Sequence, residues 1–272
     1  MAKKAVSILV TNDDGIMAPG LAALASAVSG LGTVYVVAPD RERSTIGHAL
    51  TLHRPLRVEP LSERQVSVNG TPSDCVNLAL LGLLPEKPAL VVAGINHGEN
   101  LGDDVTYSGT VSAAMEGTLL GVPSIAFSLA GEDHRMFTEA GRVARTLAEL
   151  VLREGLPRKT LLNVNIPAGV PKGVRFTRLG HRVYSETVRK EIDPRGKAHY
   201  WVGAGPPLWE REEDSDMTAV HDGYVSVTPL HMDLTDHQML HKMAGWQDAL
   251  ATKRSPHPGK RRLTRAKRTG SR

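Results

Sequence analysis

The feature that most constrains this chain is an alternation. Short runs of β-branched or wholly apolar residues at 6–11, 33–38, 89–93, 124–129 and 160–165 are separated by segments carrying helix signals. Pro19-Gly20 opens one such segment, which continues to about Val28 and is stopped by Gly30 and Gly32. A strand, a crossover helix and a second strand place the two strands side by side and parallel. Kept up to about residue 170, the pattern predicts a doubly wound, mostly parallel α/β sheet. The run Ala89 to Ala93 has no polar break, as expected of a strand covered on both faces. Apolar residues make up 41% of the chain but aromatics only 4%, so the core has to be built from Ala, Val, Leu and Ile.

Within that frame, residues 51–59 and 65–69 read as a strand pair ended by the turn signal Asn69-Gly70. Ser73 or Asp74 is expected to cap a helix running to about Leu84. A long loop is expected from Gly94 to Gly109, and helices over roughly 110–120 and 133–153. Past residue 170 the rhythm changes. Residues 173–178, 182–190 and 198–203 read as extended arms, 223–228 as a strong strand and 236–249 as a helix. The arm at roughly 176–215 is too thin to form its own core, so it is expected to pack on a second subunit. The expected organisation is a catalytic core at 1–175, then an arm, returning strand and C-terminal helix at 176–252, and a basic tail at 253–272.

The formal net charge of +4 comes from the tail. Residues 253–272 hold nine Lys/Arg and no Asp/Glu, and without them the body carries a net −5. Such a block is expected to be disordered, with contact to RNA or a membrane surface as the alternative. A single cysteine, Cys75, excludes an internal disulfide and a Cys-rich zinc site and suits a reducing compartment. The apolar run Ala5 to Val10 is too short for a signal-peptide core, and no stretch approaches the roughly 20 residues of a membrane helix. The expectation is a soluble, cytoplasmic protein.

Three segments fall just past strands, at the carboxyl edge where open α/β sheets bind ligands, and a fourth follows directly on the last of them. Asn12-Asp13-Asp14-Gly15 follows the first strand; its adjacent carboxylates read either as a turn or as a site for a hard cation such as Mg²⁺. Asp40-Arg41-Glu42-Arg43-Ser44 follows the second. There Ser44 offers a hydroxyl, and Arg41 or Arg43 could meet phosphate, unless the loop is merely solvated. Asn96 and His97 lie in the long loop after the most apolar strand; Asn96 offers a neutral oxygen, and Asp103-Asp104 reads as loop structure or a second acidic site. Ser108-Gly109-Thr110 opens a helix, where free N–H groups make either an anion site or an ordinary cap. A metal beside an anion cradle suggests a bound phosphoryl group.

Taken in order, Asn12-Asp13-Asp14-Gly15, Ala38-Pro39-Asp40-Arg41, Asn69-Gly70-Thr71-Pro72-Ser73-Asp74-Cys75, Gly94-Ile95-Asn96, Asn100-Leu101-Gly102-Asp103-Asp104 and Tyr107-Ser108-Gly109-Thr110-Val111 resemble the stationary-phase survival protein SurE family. So do Asp193-Pro194-Arg195-Gly196, Tyr200-Trp201 and Gly223 to Leu230. The resemblance implies a Rossmann-like core and a β-hairpin arm used in oligomerisation. It implies a 5′/3′-nucleotidase, with polyphosphate as a further substrate in some members. It implies one divalent cation per subunit, Mg²⁺ or Mn²⁺, held by Asp13, Asp14, Ser44 and Asn96, and a homodimer or homotetramer with exchanged C-terminal segments. Asp13, Asp14 and Asn96 are then the catalytic group, with Asn12, Asn100, Ser108, Gly109 and Thr110 toward the phosphate. His97 and Glu99 depart from the small residues or proline common there, and the basic tail lies outside the family pattern.

Rival readings fit less well. A phospho-accepting receiver domain needs an Asp where this chain has Asn96, and is about half as long. A dinucleotide-dependent oxidoreductase needs a glycine fingerprint that residues 12–20 lack. A nucleic-acid binder would rest on the tail alone.

Overall fold

The computed structural model describes residues 6–131, 133, 136–183, 188–202 and 208–251. Its first half is Ser7–Thr11 (β1), Pro19–Val28 (α1), Thr33–Pro39 (β2), Val58–Ser62 (β3), Gln65–Val68 (β4), Pro72–Leu78 (α2), Leu90–His97 (β5), Gly109–Leu119 (α3), Ser124–Leu129 (β6), Phe137–Glu154 (α4) and Thr160–Ile166 (β7). Then follow Val174–Phe176 (β8), Arg182–Val183 (β9), Val188–Ile192 (β10), Ala198–Val202 (β11), Leu208–Trp209 (β12), Asp216–His221 (α5) and Val225–His231 (β13).

Nine strands form one sheet in the order β3-β4-β2-β1-β5-β6-β7-β13-β8. From β4 to β7 every neighbouring pair is parallel, and β3 and β13 join antiparallel. The chain moves from β1 outward to β2 and later returns to β5 on the other flank of β1. Adjacent strands β1 and β5 therefore bracket the point where the winding reverses, and a crevice opens there past their carboxyl ends.

Strand alternation distributes the apolar runs over two cores. Ile8 and Val10 of β1 and Leu90 and Val92 of β5 face α1 and α4, with Leu21, Leu24, Ala140, Ala144 and Ala148. Leu9, Val91 and Ala93 face α2 and α3, with Cys75, Val76, Val111 and Ala114. A strand buried on both faces has no place for a polar residue without a partner, in keeping with the unbroken run at 89–93. The small residues of α4 at every fourth position make a narrow stripe on α1. Gly20 lets α1 lie close to β5, since a Cβ there would sit 2.0 Å from the Ile95 carbonyl oxygen.

Several boundaries differ from expectation. Residues 51–57 are not strand, and only Val58–Ser62 pairs with β4. Thr71, not Ser73 or Asp74, caps α2: its hydroxyl accepts the Asp74 N–H while the Asp74 carboxylate accepts the Thr71 N–H. Pro72 can stand at the first helical position because no donor is needed there, so the cap falls at Thr71, two residues before Ser73. The helix gives way at Ala79–Leu83 to a wider π turn. β5 runs on through Asn96 to His97, so the loop before α3 is shorter than expected and holds a 3₁₀ turn at Gly102–Thr106.

β10 and β11 form an antiparallel hairpin outside the main sheet. Val188, Ile192, Tyr200, Trp201 and Val202 are each at least 60% exposed on it. β13 lies in the main sheet beside β7, and the compact unit runs through Met232. Residues 233–251 are a separate unit, with His237–Lys242 (α6) and Trp246–Ala251 (α7) in place of one continuous helix. Asp236 caps α6 by accepting the Met239 N–H. The basic tail at 253–272 lies outside the described residues. Among the described residues no helix is long and apolar enough to cross a membrane.

Candidate active site

The crevice at the winding reversal holds the acidic pair. Asp13, past the end of β1, is 4% exposed and Asp14 is half-buried. Burial is the main reason both carboxyls are raised above the ordinary aspartate range, Asp14 to about 6. For Asp14 the charge of Asp13 adds to this, and Glu42 pushes both the same way. Thr110 works against burial at Asp13, through its hydroxyl and its backbone N–H.

Asn96 comes to the pair from the end of β5. Its amide nitrogen donates to the Gly98 carbonyl at 2.8 Å, which turns the oxygen the other way, 3.3 Å from the Thr110 hydroxyl. The His97 N–H reaches Asp14 at 3.4 Å. Asp13, Asn96 and Thr110 are thus gathered by direct contacts, and Asp14 is tied to the same strand end through the His97 backbone. Ser44 is adjacent in the chain to Arg43, whose N–H donates to the Asp13 carbonyl at 2.7 Å. Its own hydroxyl donates to Glu42 at 2.7 Å, on an exposed loop.

The third side is the N-terminus of α3. Ser108 is its cap, accepting the Val111 N–H at 3.1 Å. Gly109 packs on the acidic pair so tightly that a Cβ would lie 2.7 Å from the Asp13 Cβ and 2.8 Å from its Oδ2. The positive end of a three-turn helix is therefore aimed at Asp13.

Other expected residues take different parts. The Asn12 amide donates to the Gly15 carbonyl at 2.9 Å and closes the turn under the pair. Asn100 donates to Ser128 at 2.8 Å. Its N–H donates to Asn165, and its carbonyl accepts from Asn163 and Asn165 at 2.9 and 3.0 Å. This buried amide network holds the loop before α3 onto β6 and β7, so Asn100 anchors that loop. Arg43 pairs with Asp40 at 3.1 Å rather than standing free for phosphate. Asp104 is held by Arg182 at 2.6 Å, and Asp103 accepts the Arg182 N–H at 3.2 Å, so that acidic pair is loop structure.

A hard cation fits this arrangement. The Thr110 hydroxyl lies between an Asp13 oxygen and the Asn96 oxygen, Asp14 stands next in the chain, the charges acting on both carboxyls are negative, and a divalent ion would remove that penalty. Among the described residues no three His, Cys, Asp or Glu side chains gather at one point, so a cation held here would draw its remaining oxygens from neutral groups, of which Asn96 is at hand.

Sequence reading passed over Asn163, Asn165, Glu116 and Asn77. Three of them carried a signal: Asn163 and Asn165 inside an apolar strand, and Glu116 as the one carboxylate in the otherwise uncharged helix 109–119. A buried polar side chain needs a partner, and its presence in such a run announces one.

The family described as survival protein SurE matches residues 8–186. The 5′-nucleotidase SurE of Syntrophotalea carbinolica is 55% identical over 241 residues, covering 88% of this chain and 96% of that protein. That of Geobacter sulfurreducens is 52% identical over 245 residues, covering 89% and 94%. The crystal structure of the SurE protein from Aquifex aeolicus superposes with a TM-score of 0.81 at 48% identity, covering 89% of this chain and all of that one.

Proposed function

The chain belongs to the survival protein SurE family, and on that premise we propose that it is a 5′-nucleotidase, a metal-dependent phosphomonoesterase that hydrolyses nucleoside monophosphates to nucleoside and phosphate. The observation that carries the reading is the meeting of Asp13, Asp14 and Asn96 with the N-terminus of α3 at the winding reversal. Nucleoside 5′-monophosphates are the main substrates in this reading, with 3′-monophosphates and short polyphosphate as further ones.

Asp13, Asp14, Asn96 and Ser44 would hold one Mg²⁺ or Mn²⁺. Such an ion supplies Lewis acidity toward a phosphoryl oxygen and acidifies a water. The protein's part is positioning and electrostatics. Thr110 fixes the Asp13 carboxylate, and the Gly98 carbonyl fixes the orientation of the Asn96 amide. The first turn of α3 presents its dipole to the phosphate. We assign direct attack by water rather than an aspartyl phosphate. One oxygen of Asp13 is held by Thr110 and the other lies against Gly109, so this carboxylate is ill placed to attack phosphorus.

The apolar hairpin β10–β11 supports self-association through exchanged C-terminal segments, as a homodimer or homotetramer. A cytoplasmic location completes the reading.

Phosphate release from a panel of nucleoside 5′- and 3′-monophosphates, with chelator and with Mg²⁺ or Mn²⁺ restored, tests it. Metal-restored turnover of nucleoside monophosphates is expected. Full activity in chelator would overturn the metal assignment, and no turnover of any monophosphate would overturn the activity.

A further inference from the structure

The segment that carries Ser44 is a loop between β2 and β3, and its fastening is uneven. At its start the Arg43 N–H is tied to the Asp13 carbonyl at 2.7 Å. At its far end the Thr51 N–H donates to Asp74 at 2.8 Å, and the Thr71 hydroxyl donates to the Ala49 carbonyl at 2.7 Å. Between these, Ser44, Thr45 and Ile46 are exposed, and Thr45 sits at a φ of 56°, a left-handed conformation costly for a β-branched residue. A turn strained in this way persists only where its surroundings hold it.

Two contacts do so. The Gly47 N–H donates to the Tyr107 carbonyl at 3.1 Å. The other is a side-chain bond across 68 residues of sequence, in which His48 Nε2 lies 2.8 Å from Glu116 Oε2. Glu116 is 5% exposed on α3, and its second oxygen accepts from Asn77 of α2 at 2.7 Å. Both carboxylate oxygens are thus engaged, one from the core side and one by the loop. His48 and Asp74 are the charged or titratable groups that act on it.

Glu116 lies seven residues after Gly109 on α3, two helical turns, or roughly 10 Å, along the helix. The helix whose first turn packs on Asp13 therefore also anchors the Ser44 loop from its second half. One rigid element sets both Asp13 and the approach of the loop oxygen.

We propose that His48 is a positioning residue that, by its bond to Glu116, holds the Ser44 loop over the Asp13–Asp14 edge and so completes the cation site. The inference rests on the reading of Asp13, Asp14, Ser44 and Asn96 as that site. Its substance is that affinity for the divalent ion depends on a side chain that does not touch the ion. Supporting groups of this kind change metal affinity by roughly tenfold or more when removed.

The test is Mn²⁺ binding to the full chain by calorimetry, alongside hydrogen exchange of residues 44–50 and thermal stability. His48→Ala is expected to weaken Mn²⁺ binding about tenfold and to speed exchange at 44–50. Its melting temperature should fall by only a few degrees, because Glu116 loses one partner but keeps its bond to Asn77. His48→Gln, which keeps a donor toward Glu116, should restore binding to within about threefold. Mn²⁺ affinity and exchange in His48→Ala equal to the parent's would overturn the proposal. So would equal losses of affinity in both variants accompanied by a lowered melting temperature, since that is the mark of a purely structural residue. Absence of saturable Mn²⁺ binding in the parent protein is a separate result, one that overturns the cation site itself and this proposal with it.

Discussion

The Thr110 hydroxyl donates to the carboxylate of Asp13, 97 residues earlier in the chain. The same residue's N–H also acts on that carboxylate, so the first turn of α3 fixes the acidic pair from the far side of the crevice. Thr110→Val keeps the shape and removes the hydroxyl. Mn²⁺ affinity or kcat/KM is expected to fall by roughly tenfold to a hundredfold, with stability changed by about 1 kcal/mol. Titration with Mn²⁺ and steady-state kinetics on a nucleoside monophosphate check it.

Asp13→Asn should abolish turnover and leave the fold intact. Burial holds the Asp13 carboxyl above its ordinary range, so at neutral pH its charge weighs against the native state. The amide carries no charge and can still accept from Thr110. The urea midpoint of the metal-free variant is expected to equal or exceed the parent's. Mn²⁺ should raise the melting temperature of the parent and not of the variant, because only a state that binds the ion gains from it. Activity near the parent level in excess Mn²⁺ would remove Asp13 from the site.

Asn165 supports the loop before α3 by accepting the Asn100 N–H at 2.8 Å and donating to the Asn100 carbonyl at 3.0 Å. Asn165→Leu withdraws both partners in a buried place. A loss of about 2 kcal/mol in stability is expected from the stranded Asn100 N–H. Turnover should fall as well, because the loop carries Ser108 and the start of α3. Urea unfolding together with kinetics measures the two effects.

Glu116 supplies a pH dependence. The bond from His48 is the largest cause holding its carboxyl below the ordinary glutamate range. A depressed folded value means that the unfolded chain binds the proton more readily. The stabilisation is therefore full above about pH 4.3 and is lost as pH falls through the lower folded value. Glu116→Gln should be less stable than the parent by about 1–3 kcal/mol at pH 7, and the gap should narrow as pH falls below about 4.3. Urea midpoints at pH 7 and pH 3.5 give the comparison, and a gap that widened in acid would contradict the assignment.

The exposed apolar face of β10–β11 makes a prediction about assembly. Trp201→Glu places a charge among residues at least 60% exposed, where a partner is expected. Sedimentation should show a smaller species than the parent, with the circular dichroism spectrum unchanged. An unaltered mass would mean that the hairpin is not the interface.

What the sequence determined by itself was the alternating architecture and which residues stand at the carboxyl edge of its strands. Strands at 124–129 and 160–165 and the helix from Pro19 were legible because their signals are local: apolar period, Pro at a start, Gly at a stop. Asp13, Asp14 and Asn96 were legible because strand ends in such a sheet share one edge, and the ordered motifs resemble one family. The cap at Thr71 lies two residues before the nearer expected one, since Ser73, Asp74 and Thr71 all have the right chemistry and only the backbone chooses among them. Tertiary structure alone decided which polar groups meet. Thr110 with Asp13, His48 with Glu116, and Asn100 with Asn165 lie 97, 68 and 65 residues apart. No local preference encodes such pairs. They follow from the winding of the sheet, which brings β1, β5 and α3 to one crevice, and from the cost of leaving a buried donor or acceptor without a partner once they are there.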